Sequence, residues 1–436
     1  MKAYKTIMLS QQTATTLPIR ADRRNACPGL SRMVMAKDGA IARVKLALGR
    51  LRTPEAHALA DIATAFGNGS IELSIRSNVQ IRGIDPTNWD EAIAALYEAG
   101  FGADNPSADD IRNVMVSPTA SINTTSLATS LLEMLETTPK YHTLSPKFSF
   151  QIDGGEDCAM IEHSGDIWLS AMDSSTHYAF GLASSPGADA IGMVEQPQAL
   201  TLIKALLDTF QAHAQNGIAR IKHLFEIMSQ QQFLQELPVT FAPAPDWKRK
   251  PPKPFSWLGT HAQNDEQFYI GAIPFLGRLQ SVQLHELAKI ADDANGGEIR
   301  LTPWQSIILP NIEDADRDNV TAALKTLGLA TSSEQPQARL RACSGSRGCA
   351  SALADTLADA KQLSAKLIAG QNQVHITGCS KSCAALSPLP HTLLARSDAH
   401  YDLFSQDKAG PSRFGQLLAS NITIDEAAKL LNAQNL

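Results

Sequence analysis

Apolar positions along the chain switch between two periods, and the switches mark out a repeating unit. Leu59, Ile62, Ala63 and Phe66 recur at helical spacing behind Thr53-Pro54-Glu55, which predicts a helix opened by a capping hydroxyl, a first-turn proline and an acid. Gly67-Asn68-Gly69 ends that helix. Ile71, Leu73 and Ile75 then alternate as a half-buried strand, and Ser77-Asn78 predicts a turn into a second strand through Val79 and Ile81. Asp85-Pro86-Thr87 punctuates before Trp89, Ile93 and Leu96, which form one face of another helix.

The pattern returns 228 residues later. Residues 49–101 align without a gap on 277–329, with 17 identities in 53 positions, including Gly49-Arg50-Leu51 with Gly277-Arg278-Leu279, and His57 with His285. The period is far too long for a solenoid and reads as a duplicated domain. Strand, helix, strand, strand, helix suits an antiparallel α/β sandwich of ferredoxin-like type. The fold class is therefore α+β, in two pseudo-equivalent halves. We place an N-terminal extension at 1–25, half domains at 26–105 and 257–335, and α/β lobes at 106–241 and 336–436. A linker rich in Pro and charge, 242–256, separates the halves.

Composition narrows the class. The 436 residues are 44% hydrophobic and 19% charged, enough for sizeable cores and incompatible with a disordered chain. A net charge of -6 disfavours a general nucleic-acid binder. No apolar run reaches the roughly 20 residues that span a bilayer. Met1 to Arg24 has neither a continuous apolar stretch nor a clear cleavage site, so no membrane and a cytoplasmic location are expected.

Four of the six cysteines crowd near the C-terminus, as Cys343-x5-Cys349 and Cys379-x3-Cys383. One pair precedes an expected helix over 350–369, with Leu353, Leu357, Ala360 and Leu367 at helical spacing. The other follows an expected strand over 373–377. Glycines beside the thiols let backbone approach the sulfurs closely. Three readings fit: buried small hydrophobes, a zinc site (which usually has tighter pairs), or a four-iron cluster on four thiolates. Cys27 and Cys158 stand apart and are not expected to be ligands. A zinc-stabilised, non-catalytic tetrapyrrole carrier is the corresponding non-enzymatic alternative.

The C-x5-C…C-x3-C pattern on a duplicated chain resembles the cluster signature of the sirohaem-dependent nitrite and sulfite reductase family. Ala26-Cys27-Pro28-Gly29-Leu30-Ser31, Arg300 to Trp304 and Gly378 to Cys383 are most similar to its oxygen-dependent precorrin-3B synthase branch. The reductases usually carry Asn at the position of Lys381, and the synthases Gly at that of Ser382. The resemblance implies a duplicated nitrite/sulfite reductase-like architecture, a 4Fe-4S cluster on Cys343, Cys349, Cys379 and Cys383, and a mononuclear non-haem iron whose ligands it does not name. It further implies precorrin-3A and dioxygen as substrates, with hydroxylation at C20 and closure of a γ-lactone. The alternative it carries is an assimilatory nitrite or sulfite reductase, with sirohaem bridged to the cluster through Cys383. No G-x-G-x-x-G lies between a strand and a helix, so electrons are expected from a separate reductase or ferredoxin-type protein.

The two repeats differ where chemistry is expected. Arg76 and Arg82 in the first copy correspond to Trp304 and Pro310 in the second. A strand pair needs no arginine for stability, so the asymmetry suggests a cationic binding face in the first half. Solvated surface arginines are the bland reading. Ile111-Arg112-Asn113-Val114 and Ser145-Pro146-Lys147-Phe148-Ser149 resemble the family's remaining anion-binding segments. By that resemblance Arg76, Arg112 and Lys147, with Arg82 beside them, would meet the tetrapyrrole carboxylates, to which guanidinium groups offer two parallel donors. Ser149 stands where sulfite reductases carry a second lysine and nitrite reductases can carry Asn, so by this resemblance it disfavours sulfite more firmly than nitrite. His57 and His285 are read as structural, and His142 and His163 as weaker candidates near Lys147.

Overall fold

The structure is a computed structural model describing residues 28–433 except 174–175, 215–216, 264–265, 371, 386–388 and 407–411. The expected N-terminal extension and Cys27 lie outside the described residues. The first repeat forms β1 (Val34–Ala36), β2 (Gly39–Val44), β3 (Arg50–Arg52), α1 (Thr53–Phe66), β4 (Ser70–Leu73), β5 (Val79–Ile84) and α2 (Trp89–Glu98). Lobe 1 follows with β6 (Val114–Val116), α3 (Ile122–Thr137), β7 (Phe150–Asp153), β8 (Ile167–Ala171), β9 (His177–Leu182), β10 (Gly192–Glu195) and α4 (Ala199–His213). The second repeat is β11 (Gly259–Ala262), β12 (Gln267–Ala272), β13 (Arg278–Gln280), α5 (Ser281–Asn295), β14 (Glu298–Leu301), β15 (Ile307–Glu313) and α6 (Arg317–Thr326). Lobe 2 comprises β16 (Leu340–Ala342), α7 (Thr356–Ser364), β17 (Val374–Thr377), β18 (His391–Ser397), β19 (His400–Ser405), β20 (Gln416–Ile422) and α8 (Ile424–Ala433). Among the described residues no helix is long and apolar enough to cross a membrane.

The halves exchange a strand. One sheet runs β1-β2-β5-β4-β13 and the other β11-β12-β15-β14-β3, so each repeat gives its third strand to the other's sheet. Leu279 pairs with Ile71, and Leu51 with Ile299. One continuous core results, in which Leu51, Leu59, Ile71, Leu279, Leu287 and Ile299 are all buried. Helices α1 and α5 meet at the pseudo-twofold, where the rings of His57 and His285 stack 5.0 Å apart with Nδ1 atoms 2.7 Å from each other.

Local geometry repeats with the sequence. Leu48 and Leu276 both adopt left-handed backbone (φ 53° and 54°), as do Ser77 and Gln305 (φ 54° and 59°). Gly49 and Gly277 need to be glycine: a Cβ there would stand 2.8 Å from that of Ser77 and 2.7 Å from that of Gln305. One expectation fails. Thr53 does not cap α1; the Glu55 carboxylate accepts from the Arg52 N–H at 2.7 Å, and the Thr53 hydroxyl donates across to the Ala288 carbonyl of α5. The strand exchange presses the helix start against its partner, so the hydroxyl serves the interface.

Both lobes have the same plan. Strands β6, β7 and β8 are parallel and continue antiparallel into β9 and β10; β16 to β20 repeat that order and polarity. The Pro-rich segment after lobe 1 is packed against it. Ala242 bridges to Met193 of β10, Trp247 stacks on Trp168, and the buried Arg249 donates to Asp153 Oδ1 at 2.7 Å.

Candidate cluster and anion-binding site

Adjacent parallel strands bring the two cysteine pairs together. Ala342 of β16 pairs with Ile376 of β17, and each strand leads at its carboxyl end into a cysteine-bearing loop, the usual place for a site in such a sheet. Cys343 leaves β16, and Cys349 closes the short helix Gly345–Gly348. Cys379 and Cys383 flank the turn after β17. The expected helix over 350–369 is shorter, Thr356–Ser364, capped by the Asp355 carboxylate, which accepts from the Ala358 N–H at 3.3 Å. The preceding residues instead cross the second loop, where the Leu353 N–H donates to the Gly378 carbonyl at 2.9 Å.

The thiol of Cys383 is pushed up, first by burial and then by Cys379, Cys343 and Cys349, so the four sulfurs share one electrostatic neighbourhood. The Gly378 N–H donates to Cys343 Sγ at 3.3 Å, and the Thr356 hydroxyl lies 3.5 Å from the same sulfur. Donors aimed at a sulfur suit a thiolate ligand. Among the described residues no group of three or more His, Cys, Asp or Glu side chains is arranged to hold a metal ion. A cluster interposes iron and sulfide between its thiolates, so its ligands stand farther apart than those of a lone ion. Four thiols on two neighbouring loops, with an N–H and a hydroxyl directed at one of the sulfurs, are by their chemistry the donor set of an iron–sulfur cluster.

Arg82, expected to face substrate, holds this loop instead. It donates from Nε and Nη2 to Asp38 at 2.9 and 2.7 Å, lies 3.6 Å from Glu72, and gives a further bond from Nη2 to the Gly348 carbonyl at 3.0 Å. Burial alone would lower its pKa; Asp38, Glu72 and Cys349 outweigh burial and raise it. The carboxylate it meets is thus the chain's own. Lys37 and Arg278 reach the same loop, at the Ser346 carbonyl and Ser344 Oγ.

Arg76 and Arg112 come together in a second feature, a pocket of about 440 Å³ counted to its open mouth. The turn after β4 supplies Arg76 and Asn78, and the starts of β6 and β7 supply Arg112, Asn113, Ser149 and Gln151, with His163 closing the wall. Asn78 is fixed by accepting from the Leu46 N–H at 2.9 Å; Asn113 donates to the Pro146 carbonyl at 2.7 Å. Arg112 is ion-paired with Glu136 at 2.6 Å. Lys147 stands exposed on the same segment as Ser149 and is not on the pocket wall. His142 turns away, with Nε2 3.0 Å from the Glu136 carbonyl. Asn78 reads only as a turn residue and Asn113 only as part of the Arg112 segment, and Gln151 carries no signal in the sequence. Nor does Lys45, buried with Nζ donating to the Asp109 carbonyl at 2.6 Å, its pKa pushed down to about 8 by burial.

In the second repeat the position of Arg76 is filled apolarly. Trp304 stacks on Trp257 at 5.7 Å and 9°, in a cluster with Cys158 and Tyr269, and Arg341 lies over the Trp257 ring. Burial pushes the Cys158 thiol up to about 12, which keeps it protonated and away from ligand chemistry.

Comparison with known proteins agrees with this architecture. The family model described as the nitrite/sulfite reductase ferredoxin-like half domain matches residues 34–99 and 261–327. That of the nitrite and sulphite reductase 4Fe-4S domain matches residues 107–242. The chain belongs to the nitrite/sulfite reductase family. Its 4Fe-4S domain match falls on lobe 1, whereas the four clustered cysteines sit in lobe 2, which has the same strand plan. Among relatives in this family, the ferredoxin–nitrite reductase of Synechococcus elongatus is 27% identical over 389 residues, covering 79% of this chain and 73% of that protein. A precorrin-3B synthase from a Sinorhizobium species is 24% identical over 403 residues, covering 89% of this chain and 85% of its own. The Mycobacterium tuberculosis NirA structure superposes with a TM-score of 0.68 at 20% identity, covering 91% of this chain and 80% of that one. The family's members are oxidoreductases, and its 4Fe-4S domain supports an iron–sulfur cluster here.

Proposed function

We propose that the protein is an oxygen-dependent oxidoreductase acting on an anionic tetrapyrrole, converting precorrin-3A to precorrin-3B in aerobic cobalamin biosynthesis. The observation that carries the reading is the composition of the Arg76–Arg112 pocket. It offers guanidinium groups suited to carboxylates, yet the position two residues beyond Lys147 is Ser149, and the remaining basic group on the wall is a histidine. A site meant to polarise and protonate a small oxyanion gains from a second lysine; one that only anchors the acid arms of a macrocycle does not need it. The relative named precorrin-3B synthase also aligns over more of both chains than the nitrite reductase does.

In this reading Cys343, Cys349, Cys379 and Cys383 hold a 4Fe-4S cluster, which when bound supplies single electrons. Arg82, Lys37 and Arg278 brace its loop. Arg76 neutralises a substrate carboxylate from inside the pocket, Arg112 stands on the same wall with its charge held by Glu136, and Lys147 adds a cation from the exposed part of the same segment. The protein's task is to orient the macrocycle while dioxygen provides the inserted atom. Electrons come from a separate ferredoxin-type protein or reductase, in the cytoplasm.

The test is to incubate anaerobically purified enzyme with precorrin-3A, a reductant and oxygen. Formation of the hydroxylated lactone is expected, together with a broad, weak cluster absorbance. Strong sirohaem bands with turnover of nitrite or sulfite would move the assignment to the reductases. Zinc without iron or sulfide would end the redox reading.

A further inference from the structure

Two buried side-chain atoms on the pocket wall have no hydrogen-bond partner, Nδ1 of His163 and Oε1 of Gln151. Nε of Arg112 makes no hydrogen bond either, but Glu136 at 2.6 Å answers its charge. A buried polar atom without a partner is costly, and native sites leave one where a ligand or water completes the bond. His163 is 7% exposed. Burial, and then Arg76, push its imidazole down to about 4, so near neutral pH it offers a ring N–H without adding positive charge beside Arg76. Gln151 already donates its amide to the Met160 carbonyl, which leaves its oxygen as an acceptor.

We infer that His163 is a further ligand-contacting residue of this pocket, its Nδ1–H donating to the same carboxylate that Arg76 neutralises. The inference rests on the tetrapyrrole reading and specifies where one acid arm of the ligand is held. A neutral donor fixes the orientation of the carboxylate that the Arg76 guanidinium attracts, and its loss costs affinity without altering the cluster.

The experiment measures binding of uroporphyrin III, a stable octacarboxylic tetrapyrrole, to the cluster-loaded protein by fluorescence quenching. Wild type is compared with Arg76→Ala and with His163→Leu, His163→Asn and His163→Gln. Melting temperature and cluster absorbance of each variant report folding. The asparagine amide falls where Nδ1 stands, the glutamine amide where Nε2 stands. His163→Leu and His163→Gln are expected to weaken binding about tenfold, the size of a bond to a charged group, and His163→Asn to stay within about threefold of wild type. If Arg76→Ala weakens binding while His163→Leu does not, the inference is wrong and the tetrapyrrole reading stands. Equal losses in all three His163 variants, tracking a lowered melting temperature, would make His163 structural and also overturn it. If wild type does not bind, or Arg76→Ala binds as tightly as wild type, the tetrapyrrole reading itself falls and takes this inference with it.

Discussion

Arg76 and Arg82 sit on one β-hairpin and are committed to different tasks. Arg76 lines a pocket; Arg82 is locked between Asp38, Glu72 and the Gly348 carbonyl. Arg76→Ala should therefore weaken tetrapyrrole binding with the cluster spectrum unchanged. Arg82→Ala leaves Asp38 without its partner, while Glu72 keeps Arg278 at 2.6 Å, and should cost about 1–3 kcal/mol, seen as a lower melting temperature and a more labile cluster. Cys379→Ser should abolish the visible cluster absorbance; a retained cluster would remove Cys379 from the ligand set. His163 also has a pH consequence. Its imidazole titrates near 6.5 in the unfolded chain and at about 4 in the folded one, so the unfolded state takes up the proton first as pH falls. Stability present above pH 6.5 should drop by roughly 3 kcal/mol on going to pH 4, and His163→Asn should flatten that part of a denaturant-unfolding pH series.

At the level of elements, the repeat explains why so few residues are shared between the copies and why those are kept. Gly49 and Gly277 accept a close approach at the same turn, and the Leu51 and Leu279 side chains bury in the common core. Gly378 is a second backbone-limited position, between β17 and the Cys379 loop. A Cβ there would stand 2.5 Å from that of Ala352, and its N–H donates to Cys343 Sγ. Gly378→Ala should displace the 349–355 crossing, destabilise the protein by about 1–3 kcal/mol and lower cluster occupancy, measured as iron and sulfide per chain. The helix and strand periods in the first repeat were readable from apolar spacing, except that β4 ends at Leu73 and the expected third strand position, Ile75, lies in the turn before β5. The start of α7 was not, because Leu353 keeps helical spacing while its backbone is claimed by Gly378 and its side chain is 52% exposed.

For the whole molecule, the exchange of β3 and β13 makes the halves interdependent. Each sheet ends in a strand from the other repeat, and α1 packs on α5 through the His57–His285 pair. Expressed separately, residues 26–241 and 257–436 each lack that strand and expose half of the common core. Neither should fold alone, and co-expression should recover a soluble complex; a cooperatively melting isolated half would contradict this. The two lobes share a plan but not chemistry. Lobe 2 carries cysteines at the carboxyl ends of β16 and β17, while lobe 1 presents Arg112 and Gln151 at the starts of β6 and β7.

Sequence alone determined the duplication, the α+β class and the cysteine quartet, because each is a spacing along the chain: a constant offset, alternating periods, and thiols placed after short strands. It also identified Arg76 as a residue whose counterpart, Trp304, had changed its chemistry. Which cation faces which partner was decided only in three dimensions. Asp38 and Gly348 capture Arg82 from parts of the chain remote in sequence, and Gln151 and His163 reach Arg76 only when the lobe-1 strands dock on the first sheet. Pairing between distant charges depends on packing, and no local period encodes it.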